Sequence, residues 1–119
     1  MKPLGIYIHI PFCEHKCIYC DFYSVTTKSG IEQYIHSIKK EINYYAARCT
    51  GQFIGQTIYF GGGTPSLMTA DYIGTIIEYL QKYFVFDKEI EITLETNPGT
   101  VTDGKLKEFR QAGINRLSI

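Results

Sequence analysis

The sequence predicts an α/β fold in which parallel strands are joined by helices. Three observations carry that prediction. Short strand-like runs alternate with longer stretches of helical apolar period, in the order strand, helix, strand, helix, strand, helix, strand, which implies parallel strands linked by right-handed crossovers. Residues suited to chemistry all follow strands: cysteines after the first, glycines after the second, Glu95 at the end of the third. The third strand carries Glu91, Thr93 and Glu95 on one face, costly against helices but tolerable lining a wet interior, so the sheet is expected to be barrel-like.

Each element has its own signal. Gly5 to Ile10 alternates in strand fashion and stops at Pro11, after which a polar, cysteine-bearing loop runs through Lys28. Ser29 and Glu32 have capping-box spacing, and Ile31, Tyr34, Ile35, Ile38, Ile42 and Tyr45 then recur on one helical face. Arg48 to Gln56, with two glycines, reads as a connector. Thr57-Ile58-Tyr59-Phe60 is a short apolar strand leading into Gly61-Gly62-Gly63-Thr64-Pro65. Thr69 caps a second helix with the stripe Ile73, Ile76, Ile77, Leu80 and Phe84. Glu89 to Glu95 alternates again, with Ile90, Ile92 and Leu94 on the apolar side, until Asn97-Pro98-Gly99 breaks it. Thr102 opens a third helix, Gly113 closes it, and a fourth strand begins at Arg116 and reaches Ile119.

Size and composition set the bounds. A full parallel α/β barrel needs about 250 residues, whereas this chain has 119. It is therefore expected to be the N-terminal part, residues 1–119, of a larger domain that stops within its fourth strand. Twelve basic and twelve acidic side chains cancel, so no field favours nucleic acid or an anionic membrane. No apolar run approaches the roughly 20 residues of a membrane span. Met1-Lys2-Pro3-Leu4-Gly5 leads straight into a strand rather than a signal-peptide core, so a cytoplasmic, reducing compartment is expected. There the four cysteines suit metal binding or catalysis better than disulfides.

The cysteine loop has the sharpest signal. Cys13-Glu14-His15-Lys16-Cys17-Ile18-Tyr19-Cys20 is C-x3-C-x2-C. Three thiolates this close in sequence suit three irons of a 4Fe–4S cubane and leave the fourth iron without a protein ligand. The amino and carboxylate groups of S-adenosylmethionine can chelate that iron. One electron from the cluster then cleaves the sulfonium carbon–sulfur bond, giving methionine and a deoxyadenosyl radical that abstracts hydrogen. The competing reading is a zinc site completed by Cys49 or a histidine, although no second C-x2-C half is present. Cys49 itself reads as a small hydrophobe at a helix end.

Gly61 to Pro65 lets backbone approach a ligand closely, and no Gly-Lys-Ser/Thr ending marks it as a phosphate loop. Its carbonyls and amides suit the methionine end of the cofactor, and Glu95 suits the ribose hydroxyls. The bland alternatives are a turn and a solvated acid. His9, in strand alternation, reads as a structural histidine rather than a cofactor contact, while His15 and His36 read as solvent-facing.

Taken together, Tyr7-Ile8-His9-Ile10-Pro11-Phe12-Cys13 with Cys17, Tyr19 and Cys20, then Gly61 to Pro65, Glu95-x-Asn97-Pro98, and Gly113 to Ile119, resemble one branch of the radical S-adenosylmethionine superfamily. The resemblance is to the oxygen-independent coproporphyrinogen III oxidases and, more closely, to their haem-chaperone relatives, and it covers nearly the whole chain. It implies a partial TIM-type barrel, with Cys13, Cys17 and Cys20 as cluster ligands. Tyr7, Gly62 and Glu95 match contacts to the cleavable cofactor molecule. Tyr19, Gly63 and Thr64 match positions that touch a second cofactor molecule in the oxidase.

The oxidase pattern continues to a fourth cysteine, C-x3-C-x2-C-x-C, where this sequence has Cys20-Asp21-Phe22. Phe22 resembles the chaperone branch, which implies haem binding, delivery to a haem acceptor and an electron donor for the cluster. As a plain apolar plug, Phe22 is compatible with either branch. Two functions therefore stand: a haem chaperone that keeps cluster and cofactor, and a radical enzyme that decarboxylates coproporphyrinogen III.

Overall fold

A computed structural model describes residues 1–12, 28–49 and 51–119. Within these lie β1 (Lys2–Ile10), α1 (Lys28–Cys49), β2 (Phe53–Gly62), α2 (Ala70–Tyr83), β3 (Phe86–Glu95), α3 (Asp103–Ala112) and β4 (Arg116–Ser118). Single 3-10 turns follow β2 (Pro65–Leu67) and β3 (Pro98–Thr100). The strands form one sheet in the order β1-β2-β3-β4, and every neighbouring pair is parallel. This is the predicted succession of strand–helix–strand crossovers.

Register divides the sheet into two unlike faces. One face carries Ile8 and Ile10, Ile58 and Phe60, Ile92 and Leu94, all buried against Ile35 and Ile42 of α1, Ile73, Ile76, Ile77 and Leu80 of α2, and Phe109 of α3. The alternate residues form the opposite face, on which Tyr7, Tyr59, Thr93 and Arg116 make one row across all four strands. Gly5, Thr57 and Glu91 make the row below, and Glu95 pairs with Ser118 above. No helix covers this face among the described residues, as the alternation of Glu91, Thr93 and Glu95 requires.

Several boundaries differ from the sequence reading. β1 starts at Lys2 and β2 at Phe53, because Lys2 to Leu4 pair with Phe53 to Gly55. Gly55 reads as a loop residue, but it is a close-approach residue inside a strand. A Cβ there would lie 2.3 Å from the Phe86 ring, which packs over it. Gln56 is skipped in both registers, so β2 bulges there. β3 likewise starts early, at Phe86. Ser29 lies inside α1 rather than at its cap, because α1 begins at Lys28. Tyr45 is 51% exposed, and Ala46, one full period after Ile42, takes the buried position instead. Phe84 caps α2 rather than lying within it. The fourth strand ends at Ser118.

Thr69 occupies the N-cap of α2 without a side-chain bond, whereas the Thr102 hydroxyl accepts from the Lys105 amide 3.2 Å away. Gly113 ends α3 at φ 125°, a conformation that disfavours any side chain. Asn115 then completes β3: its Oδ1 accepts from Ile92 N and its Nδ2 donates to Ile90 O, both at 2.8 Å. A side chain thus supplies the bonds of the strand that β4 has not yet begun. Asn115→Ala leaves both β3 groups without these partners, and an expected loss of about 1–3 kcal/mol in urea unfolding of the protein follows. An unchanged midpoint would contradict this role.

Candidate functional site

The carboxyl ends of the strands form a hydrogen-bonded rim. Where β1 ends, Ile10 O accepts from Gly63 N at 2.8 Å and Phe12 O accepts from Thr64 N at 2.7 Å. The glycine loop is thereby tied to the residue that directly precedes Cys13. Asn97 N donates to Ser66 Oγ at 3.4 Å, joining the β3 exit to the turn after the glycine loop, and Ser66 is fully buried. Thr96 N donates to Ser118 O at 2.7 Å and joins β3 to β4. All four exits are linked across backbone positions far apart in sequence.

Within the rim, Gly62 has φ 119° and is exposed. A Cβ there would lie 2.6 Å from Ile10 O and 2.8 Å from the His9 ring, so only glycine fits. Gly61 is equally confined, since a Cβ would meet the Tyr59 ring at 2.8 Å and the Tyr7 ring at 2.9 Å. Gly63 and Thr64 spend their amides on Ile10 and Phe12. The loop therefore offers its open surface at Gly62 and Gly63, not those two amides, to a ligand.

An aromatic and acidic series crosses the open face just below the rim. Tyr7, 58% exposed, stacks on Tyr59 with ring centroids 5.9 Å apart and planes at 15°. The Tyr59 hydroxyl donates to Glu95 Oε2 at 2.9 Å, in a partly buried setting. Below this, Arg116 meets Glu91 at 3.4 Å and donates to Thr93 Oγ1 at 3.4 Å. That ion pair is half exposed, so it orders side chains more than it stabilises the fold. His9 also stands on the open face and is exposed, its Nδ1 3.3 Å from the Tyr7 hydroxyl. It has the partner expected of a structural histidine, but it borders Gly62 instead of entering the core. His36 is exposed on α1, as expected.

Of the expected site residues, Tyr7, Gly62, Gly63, Thr64 and Glu95 thus meet at one end of the sheet. Cys13, Cys17, Cys20, Tyr19 and Phe22, together with His15, lie outside the described residues. Among the described residues, no group of three or more cysteine, histidine or acidic side chains is placed to hold a metal. Tyr59 joins these residues without a motif of its own, because a tyrosine in an apolar strand looks like core. Its parity with Gly61 was the available signal.

Cys49 occupies the opposite end. Its carbonyl accepts from Gln52 N, and Gln52 O accepts from Lys2 N at the start of β1. About 26 Å of strand, at roughly 3.3 Å per residue, separates that point from Ile10. This weighs against the zinc arrangement in which Cys49 completes the cysteine loop. Cys49 is half-buried and borders a 780 Å³ cavity between β1 and α1, which is also lined by Ile6, Tyr34, Ile38 and Phe84. Burial, reinforced by Glu41 and Tyr7, pushes the Tyr34 phenol well above its ordinary range. The Tyr34 hydroxyl donates to His9 O and ties α1 to β1.

A parallel α/β sheet with a polar face uncovered by helices and a glycine cradle at its carboxyl rim belongs to the class of α/β folds that place ligand sites at the carboxyl ends of their strands. The chain belongs to the radical SAM superfamily, whose family model matches residues 7–119. It is similar to the heme chaperone HemW of Haemophilus influenzae, with 40% identity over all of this chain and 32% of that protein. HemW of Escherichia coli is 36% identical, again over the whole chain and 32% of the relative. The chain thus spans about a third of the length of these curated relatives. Among solved structures it is similar to coproporphyrinogen III oxidase (HemN) from Escherichia coli, described as a radical SAM enzyme. The TM-score is 0.83 and the identity 30%, over 98% of this chain and 27% of that one. Among the described residues, no helix is long and apolar enough to cross a membrane.

Proposed function

We propose that residues 1–119 form the N-terminal part of the core domain of a cytoplasmic haem chaperone that carries a 4Fe–4S cluster and S-adenosylmethionine. In this reading Cys13, Cys17 and Cys20 are the cluster ligands. Tyr7, Gly62 and Glu95 contact the cofactor, while Tyr19, Gly63 and Thr64 stand at positions that touch a second cofactor molecule in the oxidase. The observation that carries the reading is the pair of bonds from Gly63 and Thr64 to Ile10 and Phe12, because they hold a ligand cradle against the entry to the cysteine run.

The residues present fit the groups. Three thiolates in C-x3-C-x2-C are the donor set for a cluster with one open iron. Gly62 leaves room where any Cβ would strike backbone, and Glu95 offers an acceptor for a diol. Bound together, cluster and cofactor supply one-electron cleavage of a sulfonium bond. The protein's own work is to grip the methionine end at the glycine loop, hold the ribose at Glu95, and leave the polar face uncovered by helices. Haem, a haem acceptor and an electron donor are the partners this reading requires. Support for the chaperone branch comes from Phe22, which stands where the oxidase pattern has its fourth cysteine, and from the similarity to HemW of two bacteria.

A second reading, oxidative decarboxylation of coproporphyrinogen III, is favoured by the structural similarity to HemN. Decarboxylation of a propionate requires the substrate held tightly beside the point of hydrogen abstraction. In sequence, Phe22 stands where the oxidase pattern has a polarizable, redox-capable sulfur. The protein is therefore expected to bind haem, seen as a shifted Soret band, and to leave coproporphyrinogen III unconverted in an anaerobic assay with a reduced cluster. Protoporphyrinogen formed at a rate comparable to that of a genuine oxidase would overturn the chaperone reading in favour of the enzyme.

A further inference from the structure

We infer that Tyr59 is a positioning residue that pre-orients the Glu95 carboxylate for the ribose diol of S-adenosylmethionine; this rests on the reading that Glu95 contacts that ribose. Tyr59 sits at the middle of the open face, in register with Tyr7 on one side and Thr93 on the other. Three neighbours fix its ring. Tyr7 stacks on it at 5.9 Å. Gly61 lies so close beneath that a Cβ would approach within 2.8 Å, so the glycine is what allows the ring its place. Its hydroxyl is tied to Glu95 Oε2 at 2.9 Å.

The consequence falls on Glu95. A glutamate at a strand's end has several rotatable bonds, and only one of its orientations presents an oxygen to a given diol. A donor held rigidly by stacking selects an orientation before any ligand arrives, so the ordering cost is not charged to binding. Charge assistance makes this bond stronger than one between neutral partners. The bond occupies one lone pair of Oε2 and leaves Oε1 unengaged by it, so the carboxylate keeps accepting capacity for two adjacent hydroxyls. Tyr59 thus acts through Glu95, and its hydroxyl is committed to that acid.

The alternative is that Tyr59 merely packs the sheet. Tyr59→Phe separates the two, since it keeps the ring and its stacking and removes only the donor. The measurement uses anaerobically reconstituted protein, with affinity read from the change in the electron paramagnetic resonance spectrum of the cluster during titration. Two probes are compared: S-adenosylmethionine, and S-methylmethionine, which keeps the amino, carboxylate and sulfonium groups but has no ribose. The variant is expected to bind S-adenosylmethionine about tenfold more weakly, a typical loss for one charge-assisted bond. Affinity for S-methylmethionine and iron content should be unchanged. Glu95→Ala should lose at least as much, and adding Tyr59→Phe to it should cost nothing more, because the two residues act as one unit.

Equal weakening toward both probes, additive losses in the double variant, or unchanged binding by Tyr59→Phe alongside a defective Glu95→Ala would each overturn the assignment and leave the ribose reading standing. Wild-type affinity in Glu95→Ala would instead overturn the ribose reading, and this inference with it.

Discussion

Alanine in place of any one of Cys13, Cys17 or Cys20 should reduce the signal of the reduced 4Fe–4S cluster to background after anaerobic reconstitution. Under the proposed function each thiolate would serve one iron of the cubane and the fourth iron would lack a protein ligand, so no spare sulfur in the run could take over. Cys49→Ala is the internal control. Its place at the far end of β1, half-buried beside the cavity between β1 and α1, predicts an undiminished signal. Iron and sulfide content measured beside electron paramagnetic resonance separates a lost cluster from a merely oxidised one. Three single variants that all keep a full signal would sink the cluster assignment. A requirement for Cys49 would make it a fourth cluster ligand and remove the open iron on which the proposed function depends.

Gly62→Val should abolish the spectral response of the cluster to S-adenosylmethionine and cost on the order of 3 kcal/mol in stability. Two effects add. The backbone at φ 119° is one that a β-branched residue scarcely adopts, and the new Cβ would stand 2.6 Å from the Ile10 carbonyl. The His9 ring, at 2.8 Å, turns away easily, but a backbone carbonyl does not. Ile10 O is also the acceptor for Gly63 N, so relief of the clash moves the cradle itself. Chemical denaturation gives the stability, and cofactor titration gives the binding. If titration perturbs the spectrum as strongly in the variant as in the parent, Gly61 to Pro65 is only a turn.

Much of this architecture was legible in the residues because periodicity is local. Ile73, Ile76, Ile77 and Leu80 announce a helix without reference to anything else, and Glu91, Thr93 and Glu95 announce a face that no helix can cover. Strand beginnings were less legible. Gly55 looks like a chain breaker until Phe86, remote in sequence, is seen lying over it. Tyr45 and Ala46 compete for one buried position, and the choice depends on how α1 sits against the sheet. At the site, Gly62 and Glu95 stand out because they are the last residues of strands. Tyr59 does not, since its meaning lies in a hydroxyl aimed at a residue on the next strand. The ties from Gly63 and Thr64 to β1 depend on parallel register alone, and parallel register leaves no mark in adjacent residues.

Those ties make the rim a single mechanical body. Ile10 and Phe12 lead into the cysteine run, Gly63 and Thr64 belong to the cradle, Ser66 reaches Asn97, and Ser118 reaches Thr96. Anything that stiffens one stretch of this linked rim lowers the entropy still to be lost along the rest. Under the proposed function, iron–sulfur assembly at one exit and occupancy of the cradle at the next are then thermodynamically reciprocal. Whatever factor the cluster adds to cofactor affinity, the cofactor adds to retention of the cluster.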